Sequence, residues 1–150
     1  MMDILRNSKE KPRILLVEDN PGDIRLTQEV FSKSSLAINM DVVTDGEMAL
    51  EFLFKKGKFA DAVKPDIILL DLNLPKKNGL DVLKVVKADT HLKRIPIIVL
   101  TTSDAEHDIS NAYSNHANCY ILKPLDFDDF TQIIKLIESF WFNTVQLNYE

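Results

Sequence analysis

Four short, nearly unbroken apolar runs punctuate the chain: Arg13 to Val17, Asp66 to Leu70, Ile97 to Leu100 and Cys119 to Leu122. This is the pattern of parallel strands covered on both faces. A fifth stretch, Ile38 to Val43, alternates Ile38, Met40 and Val42 with Asn39 and Asp41, which predicts a strand with one less protected face, such as an edge. Between these runs lie segments of helical period: Asp23 to Lys33, Glu47 to Lys56, Leu80 to Lys87, Ala105 to Tyr113 and Phe127 to Trp141. In the last of them Phe127, Phe130, Ile133, Ile134, Ile137, Phe140 and Trp141 recur at spacings of three and four, with Asp126 placed to cap the helix and Asp128 and Asp129 near its positive end. Five βα repeats predict an α/β fold: a parallel sheet with helices on both faces, because each crossover is right-handed and must bury a helix stripe.

The ends of the strands carry the chemistry. Glu18 and Asp19 follow the first run, Asp71 the second, Thr101 the third, and Lys123-Pro124 the last. In an open parallel sheet ligands bind outside the carboxyl ends of the strands, so these residues read as one site. Three clustered carboxylates repel one another and call for a cation, and a hard divalent ion such as Mg2+ is usually held by one or two carboxylates together with a phosphate. Lys123 and the Thr101 hydroxyl would then bind the phosphate. A carboxylate at the rim of a partly dry pocket, as Asp71 would be, can attack a phosphoryl group to give an acyl phosphate. Blander roles also exist: Asp19 or Asn20 could cap the first helix, and Ser103 or Asp104 the fourth. A cis Lys123-Pro124 bond is compatible with the sequence without being dictated by it.

Composition narrows the partners. At 150 residues, 45% apolar and 27% charged, the chain fits one ordinary globular domain. Its net charge of −5 argues against nucleic acid, whose phosphates are bound by Lys and Arg. The one cysteine, Cys119, sits in an apolar run and reads as a buried thiol, while His91, His107 and His116 have no ligand spacing and read as solvent-facing. No apolar stretch approaches the ~20 residues of a membrane span, and the N-terminus lacks a signal-peptide core, so a cytoplasmic location is expected.

Taken together, Val17-Glu18-Asp19-Asn20, Leu70-Asp71-Leu72-Asn73-Leu74-Pro75, Asn78-Gly79, Leu100-Thr101-Thr102-Ser103 and Leu122-Lys123-Pro124 resemble the receiver domain of two-component response regulators, the CheY-like fold. The resemblance runs from about Arg13 to Trp141. It implies a flavodoxin-like five-stranded sheet of order 2-1-3-4-5, with a tail at 1–12, a receiver domain at 13–142 and an extension at 143–150. It further implies Mg2+-dependent transfer of a phosphoryl group from a phosphohistidine to Asp71, slow autodephosphorylation, and a signalling output rather than conventional enzymatic turnover. By position, Asp71 matches the phosphoacceptor, Asp19 a direct metal ligand, Glu18 a ligand through water, and Asn73 a backbone-carbonyl ligand. Thr101 matches the switch hydroxyl, Lys123 the phosphate-binding lysine, and Tyr120 the aromatic that moves with the switch, although an ordinary strand aromatic would look the same. Two departures stand out: Glu18 replaces the commoner Asp, and Thr102 stands where a smaller Ala is frequent.

Asp71 to Lys77, Leu92 to Pro96 and Ile137 to Trp141 further resemble the small stand-alone regulators that pair with phytochrome-type histidine kinases. With no output domain visible on the chain, the expected partners are a sensor histidine kinase or a phosphotransfer protein. A Mg2+-dependent aspartyl-phosphate phosphatase would want an Asp two residues after the nucleophile, where Asn73 stands. A flavodoxin-like cofactor binder would want a phosphate cradle where Glu18 and Asp19 would repel one. Finally, Phe140, Trp141 and Phe142 point about 100° apart on a helix, so one stripe cannot hide all three. With Val145, Leu147 and Tyr149 alternating behind them, this predicts a homodimer through the fourth helix, fifth strand and fifth helix, extended by the tail.

Overall fold

The computed structural model describes residues 11–149. Most of the 1–12 tail lies outside the described residues. The strands are β1 (Arg13–Val17), β2 (Asn39–Val43), β3 (Ile67–Leu70), β4 (Ile97–Thr101) and β5 (Cys119–Leu122). All neighbours are parallel, in the order β2-β1-β3-β4-β5. The helices are α1 (Pro21–Ser32), α2 (Gly46–Leu53), α3 (Gly79–Ala88), α4 (Glu106–Ser114) and α5 (Phe127–Glu138), and α5 runs on into a π-helical turn, Ser139–Thr144.

Alternation along the strands divides the core into two layers. Leu15, Val17, Ile68, Leu70, Ile97 and Val99 face α2, α3 and α4, whereas Ile14, Leu16, Ile67, Leu69, Ile98 and Leu100 face α1, α5 and the π-helical turn. The three central strands are therefore buried on both faces, as their unbroken apolar runs predict. The β5 run departs from that expectation, with Cys119 half-buried and Leu122 exposed. Its neighbour on one side is solvent, because β5 is the edge of the sheet. At the other edge β2 is half-buried, in keeping with its mixed sequence.

Helix starts follow local chemistry. Asn20, Asp45, Asn78 and Asp126 each cap a helix by accepting a backbone N–H, and Pro21 occupies the first turn of α1, which begins two residues earlier than its apolar period suggests. Neither Ser103 nor Asp104 caps α4. Its cap position is Ala105, with no side-chain bond, while the Ser103 hydroxyl donates to the Asp108 carboxylate at 2.5 Å. The Lys123-Pro124 bond is trans.

The C-terminus differs most from expectation. Instead of α5 continuing to Trp141, the chain widens at Ser139 into the π-helical turn. This rotates Phe142 into the core, where it meets Phe31 of α1 edge-on with ring centroids 5.8 Å apart. Phe140 is left exposed. The tail does not form a strand: Leu147 is buried, and Val145 and Tyr149 pack against the same α1/α5 layer. Phe142, Val145, Leu147 and Tyr149 thus pack within the chain's own core layer.

Replacing Phe142 by Ala is expected to cost about 3–5 kcal/mol of unfolding free energy, as for other buried aromatics. Phe140→Ala should stay within about 1 kcal/mol, since it removes only an exposed edge-to-face contact with Trp141. Urea denaturation of the two variants checks the contrast.

Candidate phosphoacceptor and metal site

The strand order reverses between β1 and β3, and the crevice at that switch point is where open α/β sheets bind ligands. Register brings the acids there. Val17 pairs with Leu70, so Glu18 and Asp71 leave the sheet side by side one residue later. Glu18 is still held by the sheet through its N–H to the Val43 carbonyl, and Asp71 through its N–H to the Val17 carbonyl. Both side chains are buried, whereas Asp19 is exposed at the rim. One carboxylate oxygen from each of Glu18, Asp19 and Asp71 can be chosen so that all three lie within 4.8 Å of one another.

The two buried carboxylates are fixed by donors. Glu18 Oε2 accepts the N–H groups of Asp19 and Asn20, both at 3.1 Å, which turns the longer glutamate side chain back over the loop. Asp71 Oδ1 accepts the Asn73 N–H at 3.1 Å. The loop after Asp71 is held close by Gly79, whose N–H reaches the Leu72 carbonyl at 2.9 Å. A Cβ on Gly79 would lie 2.4 Å from the Asp71 carbonyl oxygen, so only glycine lets α3 start against the end of β3.

Lys123 crosses the top of the sheet to reach these acids. Three strand spacings of roughly 4.8 Å separate β5 from β1, and the long side chains of Lys123 and Glu18 bridge them together. The Lys123 N–H bonds the Thr101 carbonyl at 2.8 Å, and its ammonium bonds Glu18 Oε1 at 2.5 Å, Asp23 Oδ2 at 3.0 Å and Asp71 Oδ2 at 3.1 Å. Its side chain is only 5% exposed. Burial alone would lower its pKa, but the bonds and charges of Glu18, Asp71 and Asp23 outweigh that and raise it, so the cation persists. Burial pushes Glu18 the other way from an ordinary carboxyl, up to about 7, against the lowering effect of Lys123. The ammonium is the firmer of the two charges, since three carboxylates hold it and only one of them is Glu18.

Thr101 is fully buried at the end of β4, and its hydroxyl lies 3.5 Å from the Asn73 side-chain nitrogen and 3.4 Å from the Ser103 N–H. Thr102 is exposed, its hydroxyl also 3.5 Å from the Asn73 amide. Tyr120 is half-buried and donates its hydroxyl to the Ser103 carbonyl at 2.8 Å. That bond links β5 to the β4–α4 loop, and through Ser103 to Asp108 of α4. Among the residues singled out from sequence, Glu18, Asp19, Asp71, Asn73, Thr101 and Lys123 converge, while Thr102 and Tyr120 stand at the margin.

One participant escaped the sequence reading. Asp23 appears there only as a helix start, yet its carboxylate completes the shell around Lys123. Its place in the first turn of the helix that follows the acidic strand end was the available signal. His91, His107 and His116 are all exposed, away from the cluster. Among the described residues no helix is long and apolar enough to cross a membrane.

Oxygen-only ligands at this spacing suit a hard divalent cation. Glu18, Asp23 and Asp71 hold one ammonium and Asp19 stands beside Glu18 and Asp71, so when all four carboxylates are ionised an excess of three negative charges remains for such an ion to offset.

Comparison with known proteins agrees with this geometry. Residues 14–135 match the response regulator receiver domain. The chain is 46% identical over 134 residues to the response regulator Rcp1 of Synechocystis sp., covering 89% of this chain and 91% of that protein. Among solved structures, the phosphorylated cyanobacterial phytochrome response regulator RcpA superposes with a TM-score of 0.90 at 48% identity, covering 91% of this chain and 98% of RcpA. The Mn2+-bound form of Rcp1 also superposes with a TM-score of 0.90, at 44% identity, covering 91% of this chain and 99% of the other. With the family model matching residues 14–135 and these relatives aligned along most of its length, the chain belongs to the response regulator receiver domain family, the phosphoacceptor modules of two-component signalling.

Proposed function

We propose that Asp71 is the phosphoacceptor and that Glu18, Asp19, Asp71 and the Asn73 carbonyl hold Mg2+ beside it. The observation that carries this reading is the Asp71 carboxylate itself: buried, oriented by the Asn73 N–H and Lys123, and inside the three-carboxylate cluster. In the transfer, an Asp71 carboxylate oxygen attacks the phosphorus of a phosphohistidine. The new O–P bond makes an acyl phosphate, and the N–P bond breaks, leaving its electron pair on the imidazole nitrogen, which then takes a proton. Bound Mg2+ would offset negative charge on the phosphoryl oxygens. Lys123 supplies a second positive charge to the same oxygens, and Thr101 a hydroxyl.

Asn73 stands where a phosphatase of this chemistry would place its proton donor, and an amide cannot play that part. The phosphorylated state therefore decays slowly by hydrolysis and acts as a signal. Phosphorylation draws Thr101 and Lys123 towards the new oxygens, and the Thr101–Ser103–Tyr120 and Ser103–Asp108 bonds give that movement a route to α4 and β5. The donor would be a sensor histidine kinase, phytochrome-like by analogy with the relatives, or a phosphotransfer protein, and the setting cytoplasmic. Residues 13–142 would form the switching unit and 143–150 an extension, whose Val145, Leu147 and Tyr149 pack against the α1/α5 layer.

The receiving surface is apolar. Tyr113, Leu122, Leu136 and Phe140 are exposed on or next to α4, β5 and α5, and a groove of about 500 Å³ runs beside β5 between Cys119, Ile121, Ile133, Leu136, Phe140 and Trp141. Such a patch supports a homodimer through this face.

Acetyl phosphate with Mg2+ is expected to label the parent and not Asp71→Asn; labelling that survives the substitution would sink the assignment. Mg2+ affinity, measured by calorimetry, should rise between pH 6 and pH 8, because the ion needs Glu18 ionised and that group titrates near 7. The metal-free fold should show the opposite sign. Glu18 has its folded pKa raised from the usual 4.5 to about 7, so the folded state holds the extra proton and that contribution to stability is lost as pH rises from about 4.5 through about 7. A flat Mg2+ profile would contradict this role for Glu18. For the dimer, sedimentation at micromolar concentration with Mg2+ and beryllofluoride should give a dimer that Leu136→Glu disperses. A monomeric parent would end that part of the reading.

A further inference from the structure

We propose that Asp23 is a positioning residue for phosphoryl transfer: from α1 it grips the ammonium of Lys123 and keeps that cation aimed at Asp71. The proposal rests on the reading of Lys123 as the phosphate-binding group. An ammonium has three N–H donors, and here all three are committed, to Glu18, Asp23 and Asp71. The acceptors come from the end of β1, the first turn of α1 and the end of β3, so they triangulate a nitrogen that arrives from β5.

Two of these acceptors change their chemistry during the reaction. Asp71 takes the phosphoryl group, and Glu18 belongs to the carboxylate cluster that would face the metal. Asp23 belongs to neither. When Lys123 turns a donor to the incoming phosphoryl oxygens, the Asp23 carboxylate is the acceptor whose own bonding need not alter.

Its backbone is suited to that task. The Asp23 N–H donates to Asn20 Oδ1 at 3.0 Å, and its carbonyl accepts the Thr27 hydroxyl at 2.7 Å, so the residue is pinned on both sides in the first turn of α1. Its side chain is short and 23% exposed. Lysine, by contrast, has a flexible four-carbon stem, and ordering it costs more rotamer entropy than ordering almost any other side chain. A charge-assisted bond to a pinned, short carboxylate removes that freedom before the phosphoryl group arrives.

The test uses the full chain, with acetyl phosphate as donor and the rate of Asp71 labelling read at saturating Mg2+. Asp23→Asn keeps the side-chain size and leaves the Asn20 cap, which bonds the backbone, in place. It should slow labelling roughly tenfold, the scale of one charged hydrogen bond, and weaken beryllofluoride binding by a similar factor. The Mg2+ midpoint should move by less than about threefold, because Asp23 lies outside the cluster. Asp23→Glu, which restores a carboxylate, should recover most of the rate. In a Lys123→Ala background Asp23→Asn should have no further effect, and thermal unfolding shows that each variant is folded. Labelling of Asp23→Asn at the parental rate, or an equal slowing with and without Lys123, would overturn the proposal while leaving Lys123 as the phosphate-binding group. Lys123→Ala labelled at the parental rate would overturn that underlying reading, and this proposal with it.

Discussion

Like charge held at close quarters is the constraint on which the rest of the molecule turns. Glu18, Asp19, Asp23 and Asp71 gather at the top of the sheet, where mutual repulsion would drive them apart if no cation stood among them. Lys123 supplies that cation from the far edge. Its burial is tolerable because three carboxylates satisfy it, and removing one partner of a buried charged pair typically costs about 3–5 kcal/mol. The cluster is thus held together while keeping a net negative charge at the crevice.

The sheet supplies the rigidity that this arrangement needs. β1, β3 and β4 are buried on both faces, so their ends cannot drift, and the acids and Thr101 that leave them inherit a fixed geometry. Gly79 carries the same logic into the loop, because its missing Cβ lets α3 begin against Asp71. β5 is different. An edge strand with a half-exposed face can shift at less cost than a central one, and β5 bears both Lys123 and Tyr120. The acids stand at the ends of the most deeply buried strands, whereas Lys123 and Tyr120 stand on or beside an edge strand.

The C-terminal end shows how packing reorganises a helix. A regular continuation of α5 would leave large aromatics in water, whereas the wider π-helical turn sends Phe142 inward against Phe31 and lets Leu147 close the layer over α1 and α5. Phe140 and Leu136 remain outside, on the face that carries the exposed edge of β5. One local change of helical pitch therefore completes the core and leaves an apolar surface available.

Much of this was legible in the residues alone. Apolar runs as short as Ile67 to Leu70 declare strands buried on both faces, heptad-like spacing from Phe127 to Ile137 declares a helix, and polar residues at strand ends declare a site, because periodicity and burial are local properties of the chain. The motif set carried the strand order and named Asp71 and Lys123, which the fold brings into contact. What needed the tertiary structure was whatever depends on distant neighbours. Asp23 joins Lys123 across 100 residues of sequence, a contact that no spacing rule anticipates. The exposure of Leu122 follows from β5 having no strand beyond it among the described residues, and the path of the tail follows from the space left between α1 and α5. Local pattern determines which segments seek burial, whereas only the packed fold decides which partners they find, since the free energy of a contact belongs to both residues and to the space between them.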